Sequence, residues 1–250
     1  MAARLVSARR CVTCLQTLRP KLMLRGARPA AAVALATACG IACSSVPSSS
    51  VAAGAGAGAA GAASLAHAER LIDQVYGGID PSHGPELSSE EEDVVDDSGG
   101  SHIYGEITVA GVHTLIEWLL KRSAAAPAGA PHRLPDGGWA FTDLGSGVGR
   151  MCVHVAAMAG SWGVTRSVGI ELSHTRHLAA IAAAERARTL DLTHCPLEII
   201  EGDILVEDLT NLTVVYVASL LFEDEMLALL AARLDSVPSV QWVATLRPFE

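Results

Sequence analysis

Three carboxylates and three glycines are the residues of this 250-residue chain best placed to do chemistry. Asp143 opens the run Asp143-Leu-Gly145-Ser-Gly147-Val-Gly149, Glu171 follows 28 residues later, and Asp203 comes directly after Gly202. Glycines at alternate positions let a backbone turn approach a ligand where a Cβ would block it. A helix that starts at once after such a turn presents free N–H groups and the positive end of its dipole. The pair suits an anionic or polar-headed ligand. A carboxylate at the tip of the next strand can accept from both hydroxyls of a ribose, an arrangement used in nucleoside-binding folds. Asp203, one strand further on, can accept from an adenine amino group or form a turn.

Spacing removes two phosphate-binding alternatives. A dinucleotide fingerprint has glycines at its first, third and sixth places; here the sixth place is Arg150. A P-loop ends in Gly-Lys-Ser/Thr, which is absent. An acid followed by Gly-x-Gly-x-Gly is instead the pattern of methyltransferases that use S-adenosyl-L-methionine. The nine histidines show no metal-ligand spacing, and no second ligand pair follows Cys11-Val-Thr-Cys14, so no metal is expected.

The elements that must position these residues are legible in the hydrophobic pattern. Val112, Leu115, Ile116 and Leu119 recur at helical spacing, with Lys121 and Arg122 at the helix end. Trp139, Ala140 and Phe141 predict a buried strand closed by Asp143, and Met151 to Met158 an apolar helix. Ser167–Leu172 predicts the second strand, and Ser173 the N-cap of a helix burying Leu178, Ile181 and Ala182. Leu197–Glu201 and Thr213–Val217 predict the third and fourth strands. Glu223, Asp224 and Glu225 fill the first turn of a helix burying Met226, Leu229, Leu230 and Leu234. Val240–Leu246 predicts the fifth strand. Alternation of this kind implies an α/β, Rossmann-like fold, a mostly parallel sheet flanked by helices that binds ligands beyond the carboxyl ends of its strands.

Composition divides the chain in three. All 27 acidic residues lie at or after Glu69, and seven of the 18 basic residues precede it, so the remainder carries a net charge of −16 against −9 for the whole. Residues 1–68 are Arg-, Ser- and Ala-rich and free of acids until then, as in transit peptides. They predict a targeting leader for a plastid or mitochondrion, with the nucleus as the alternative. Ala30 to Cys43 is too short an apolar run for a membrane span, and Ser48 to Ala63 reads as a flexible linker. Residues 69–101 predict a short helix and then an acidic, solvated, disordered loop around Glu90–Asp97. Residues 102–250 form the ligand-binding domain. So acidic a body is poorly suited to nucleic acid, where Lys and Arg supply the affinity.

The residues Tyr104-Gly-Glu106, Phe-Thr-Asp143-Leu-Gly-Ser-Gly-Val-Gly149, Val-Gly-Ile-Glu171, Glu-Gly-Asp203-Ile-Leu, Val-Val-Tyr-Val217 and Leu-Arg-Pro-Phe249 occur in that order. In this the chain resembles the disruptor-of-telomeric-silencing family, the non-SET histone-lysine methyltransferases with a class I methyltransferase fold. The resemblance implies S-adenosyl-L-methionine as cofactor and a protein lysine, a histone among the candidates, as methyl acceptor. It implies that Tyr104, Gly105, Glu106 and Ile107 form a loop over the cofactor. It implies that Phe141, Thr142, Asp143, Leu144, Gly145, Ser146, Gly147, Val148, Gly149 and Arg150 cradle its methionine part, Glu171 its ribose, and Asp203 with Ile204 its adenine. Ser219 and Phe222 fall beside the substrate channel. The family's two asparagines after strand four are Ala218 and Ser219 here, and its strands after Pro-Phe are expected to be missing. A methyltransferase of the same fold acting on a small molecule or an organellar protein, and a non-catalytic cofactor-binding module, are the alternatives. Proximity and alignment supply much of the rate of methyl transfer, so the lack of an acid–base constellation is no objection.

Overall fold

The computed structural model of the chain describes residues 41–42, 57–77, 84–130 and 132–249. A two-residue strand, β1 (Ile41–Ala42), pairs antiparallel with β2 (Glu106–Ile107). Helices α1 (Ala57–Tyr76), α2 (Ser89–Asp97) and α3 (Val109–Ala124) precede the main sheet. That sheet comprises β3 (Trp139–Leu144), β4 (Val164–Glu171), β5 (Leu197–Glu201), β6 (Val214–Val217) and β7 (Trp242–Thr245). Between them lie α4 (Arg150–Ala157), α5 (Ala159–Trp162), α6 (His174–Thr189) and α7 (Asp224–Asp235).

All five strands are parallel, in the order β5-β4-β3-β6-β7. The chain runs outward from β3 on one side and then returns to β6 on the other. The order therefore reverses between β3 and β6, and a crevice opens there at the carboxyl ends. The predicted α/β fold class is found. Side chains alternate across the sheet as strand geometry requires. Val214 and Tyr216 join the core under α1, α3, α4 and α6, whereas Val215 and Val217 join the core under α7.

Two predicted helix faces are wrong in detail. In α6 the buried residues include Ala180, Ala183, Ala184 and Ala187, while Leu178 is 52% exposed. The cause is close approach: a Cβ placed on Gly149 would lie 3.1 Å from that of Ala180. Only small side chains fit that contact, so the bulky ones turn outward. In α7, Leu227 is buried and Leu229 exposed. Met226, Leu227, Leu230 and Leu234 form the i, i+1, i+4, i+8 stripe, and Leu229 falls behind it.

The segment read as linker and loop is also corrected where it is described. Helix α1 begins at Ala57, inside the expected linker; alanine carries no propensity penalty. The expected acidic loop is α2. Ser88 caps it by accepting from the Glu91 amide at 3.3 Å, and Glu90, Glu91 and Glu92 in its first turn suit the dipole. Most of the expected leader lies outside the described residues.

Glu91 then reaches across to α6. It accepts from the Thr175 amide at 2.8 Å, the Thr175 hydroxyl at 2.6 Å and the Ser173 hydroxyl at 3.1 Å. The other end of the segment is pinned where the Glu223 amide donates to the Gly99 carbonyl at 2.9 Å. Residues 89–105 thus strap the crevice from the start of α6 to the start of α7. Hydrogen bonds from the Thr175 side chain and backbone lower the Glu91 carboxyl from 4.5 to about 2. A depressed carboxyl adds stability above its unfolded value and loses it as pH falls through the folded one. The strap is therefore expected to loosen between pH 4.5 and about 2. Glu91→Gln should flatten that acid limb in hydrogen exchange over residues 89–99; an unchanged limb would refute the latch.

Candidate ligand-binding site

The glycine turn follows from its dihedrals. Gly145, Gly147 and Gly149 have φ of 82°, 55° and 76°, a left-handed region costly for residues with a Cβ. The space is also taken: a Cβ on Gly147 would meet the Tyr104 ring at 3.0 Å and its hydroxyl at 3.1 Å. Gly147→Ala is expected to cost about 2 kcal/mol from backbone strain and displaced contact, and to move Tyr104 off the turn. Chemical denaturation and the Tyr104 environment seen by NMR check both parts.

A cavity of about 130 Å³ lies at the crevice between this turn and the strap. Tyr104, Gly105, Glu106 and Ile107 line one side, and Asp143, Gly145, Ser146, Gly147 and Arg150 the other. Glu171, Asp203 and Ile204 close the far end, and Phe222 stands near Gly145. The expected residues from four separated stretches are thus brought together. Phe141, Thr142, Leu144, Val148 and Gly149 are not in the lining. They support the turn from behind, where Phe141, Thr142 and Leu144 are fully buried.

Ser219 is corrected. It is fully buried, its hydroxyl hydrogen-bonds the Thr245 hydroxyl, and it accepts from the Arg247 amide at 3.1 Å. It ties the turn after β6 to the end of β7 and leaves Ala218 in the wall. Met151, Met226 and Arg176 are among the lining residues that the sequence does not reveal as such. Met151 and Met226 read as core, because an apolar residue at helical spacing looks the same facing a cavity or facing a neighbour. Arg176 had no signal, since charged residues on a helix are usually solvated. Here it is buried, its guanidinium lies 5.1 Å from the Tyr104 ring centroid, and it donates to the His102 carbonyl.

Glu171 and its neighbours define the polarity of the far end. The Glu171 carboxylate accepts from the Gly147 amide at 2.7 Å and from the Ser173 amide at 3.0 Å, using one oxygen for each. Each oxygen retains acceptor capacity. Asp203 accepts from the Leu205 amide at 2.7 Å, so it forms the turn and lines the cavity as well. Burial pushes the Asp143 carboxyl well above 3.8, and the nearby Glu171 and Glu106 add to the rise. Burial also raises Glu106, opposed by the Arg150 guanidinium with which it pairs. Asp143 Oδ1, Arg150 Nη2 and Arg176 Nε are buried without a hydrogen-bond partner among the described residues. Buried polar atoms left in this way normally await a ligand or water. A ligand carrying both positive and negative groups, with a ribose, matches an orphan carboxylate oxygen, two orphan guanidinium nitrogens and Glu171.

Among the described residues no group of three or more His, Cys, Asp or Glu could hold a metal ion. No helix among them is long and apolar enough to cross a membrane.

Residues 136–249 match the sequence model of the family described as histone methylation protein DOT1. The resemblance drawn from the motifs holds over that segment. No curated protein matches the chain. Among solved structures it is similar to magnesium protoporphyrin IX methyltransferase from Synechocystis PCC 6803 with bound S-adenosylhomocysteine. Identity is 13%, the match covers 70% of this chain and 64% of that one, and the TM-score is 0.35. A second is a putative S-adenosyl-L-methionine-dependent methyltransferase from Methanococcus maripaludis, with 13% identity, coverage of 54% and 63%, and TM-score 0.34. A third is geranyl diphosphate C-methyltransferase from Streptomyces coelicolor A3(2), in complex with Mg2+, geranyl diphosphate and S-adenosyl-L-homocysteine. Its identity is 17%, coverage 66% and 59%, and TM-score 0.34. The chain spans less than two thirds of the length of each.

Proposed function

We propose that this chain, which resembles the histone methylation family over residues 136–249, is an S-adenosyl-L-methionine-dependent methyltransferase whose acceptor is a protein lysine. The observation that carries the reading is Glu171. It stands at the tip of the strand beside the glycine turn, in one cavity with Asp143, Asp203 and the Tyr104–Ile107 cover. S-adenosyl-L-methionine, when bound, supplies a methyl group already activated by its positive sulfur. Glu171 would hold the ribose and Asp203 with Ile204 the adenine. Asp143 and Arg150 would face the charged methionine end, and the strap would exclude water. Positioning in a dry site supplies the rate, and the acceptor nitrogen must arrive neutral.

Transfer of labelled methyl groups to nucleosomes, free histones and a cell extract tests the acceptor. Label in a histone lysine supports the family's substrate. Label in other proteins redirects it, and cofactor binding with no label anywhere leaves a non-catalytic module. One observation favours a second reading, a small apolar acceptor: Val95, Ile103, Phe222 and Met226 all line the cavity. Label in a low-molecular-weight organic extract would select it.

The compartment belongs to the same proposal. The Arg-rich, acid-free stretch before α1 would deliver the protein to an organelle. A fluorescent reporter carrying residues 1–56 should then leave the cytosol for a plastid or mitochondrion, and nuclear accumulation would reverse the assignment.

A further inference from the structure

Val148 sits in the middle of the glycine turn, and phenols from outside the turn hold both of its backbone groups. Its N–H donates to the Tyr104 hydroxyl at 3.4 Å, and its carbonyl accepts from the Tyr76 hydroxyl at 3.0 Å. Tyr76 is the last residue of α1 and is 2% exposed. Its ring lies against the Arg150 guanidinium, 4.3 Å from centroid to Cζ. Arg150 pairs through Nε with Glu106, whose other oxygen accepts from the Tyr104 hydroxyl. Tyr76, Arg150, Glu106 and Tyr104 therefore close a loop of contacts around one residue of the turn, Val148. The end of α1 is fixed in turn, because Arg186 of α6 donates to the Val75 carbonyl at 2.6 Å.

A turn with glycine at every second position has few side chains to hold it, and glycine loses the most freedom on ordering. An external clamp meets that cost before a ligand arrives, which is preorganisation. We propose that Tyr76 is a positioning residue that sets the geometry of the glycine turn and of Arg150. Helix α1 is then part of the binding unit, although it lies outside the segment that matches the family. The identity of the ligand rests on the function proposed above; the clamp itself does not.

Tyr76→Phe in the full chain removes the hydroxyl and keeps the ring under Arg150. Hydrogen exchange of the ligand-free protein should quicken about tenfold over residues 147–150, the effect of one orphaned buried carbonyl, and stay unchanged in β6. Calorimetric affinity for S-adenosylhomocysteine should fall by about the same factor. Tyr76→Leu, which also removes the ring, should exceed both effects. Exchange in Tyr76→Phe that is unchanged, or that rises equally in the turn and in β6, would make Tyr76 an ordinary core residue and overturn the proposal. If the wild-type chain binds no S-adenosylhomocysteine, the ligand assignment fails, and the exchange comparison still decides the clamp.

Discussion

Glu171→Ala is expected to weaken S-adenosylmethionine binding by about 1–3 kcal/mol, the scale for a lost hydrogen bond to a charged group. The change also strips two amides of their acceptor. The Gly147 amide, at 2.7 Å, belongs to the turn, and the Ser173 amide, at 3.0 Å, starts the next helix. Part of the loss will therefore come from a loosened turn and part from the missing ribose contact. Glu171→Gln separates them. It keeps one carbonyl oxygen for an amide and removes the charge, so it should hold more of the fold's stability while still losing affinity. Calorimetry with S-adenosylhomocysteine, set beside urea denaturation, reads the two parts. Wild-type affinity in a folded Glu171→Ala protein would refute the ribose assignment.

Asp143→Asn is expected to move stability and binding in opposite directions. Burial, then the charges of Glu171 and Glu106, hold the Asp143 carboxyl well above 3.8. In the unfolded chain it ionises at its ordinary value and in the fold only at higher pH. Its contribution thus favours the fold in acid and is withdrawn as pH rises from 3.8 through the raised value. An amide does not titrate, so the variant should gain stability at neutral pH relative to the wild type. A cationic ligand end beside Asp143 lowers the raised value again. Binding to the wild type should therefore release a proton and tighten as pH rises across that range. The variant should lose this pH dependence and about tenfold in affinity, the scale of one charge-assisted hydrogen bond. Titration calorimetry in two buffers of different ionisation enthalpy counts the proton. Equal heats for the wild type would place the cation elsewhere.

The supports of these residues were less legible than the residues themselves. The expected loop around Glu90 is a helix because Ser88 caps it and Glu91 finds partners on α6, 82 and 84 residues away. A charge run read locally is solvated; read in the fold, one of its members is a latch. The pattern predicts Leu178, Ile181 and Ala182 on the buried face of α6, yet proximity to Gly149 brings Ala180, Ala183, Ala184 and Ala187 there instead. Ser219 was placed beside the channel by its position after strand four, but Thr245 and the Arg247 amide draw it into the core.

The sequence by itself determined the order of the five parallel strands with the helices α4, α6 and α7 between them, the glycine turn, and the carboxylates at the strand tips. Those depend on local periodicity and on the short-range geometry of a turn, which neighbouring residues specify. The tertiary structure alone decided that Tyr76 clamps the turn, that Arg176 and Met226 face a cavity, and that Glu91 fastens the strap. Each is a contact between residues far apart in the chain, and nothing in the local pattern distinguishes a side chain that meets its partner from one that meets water.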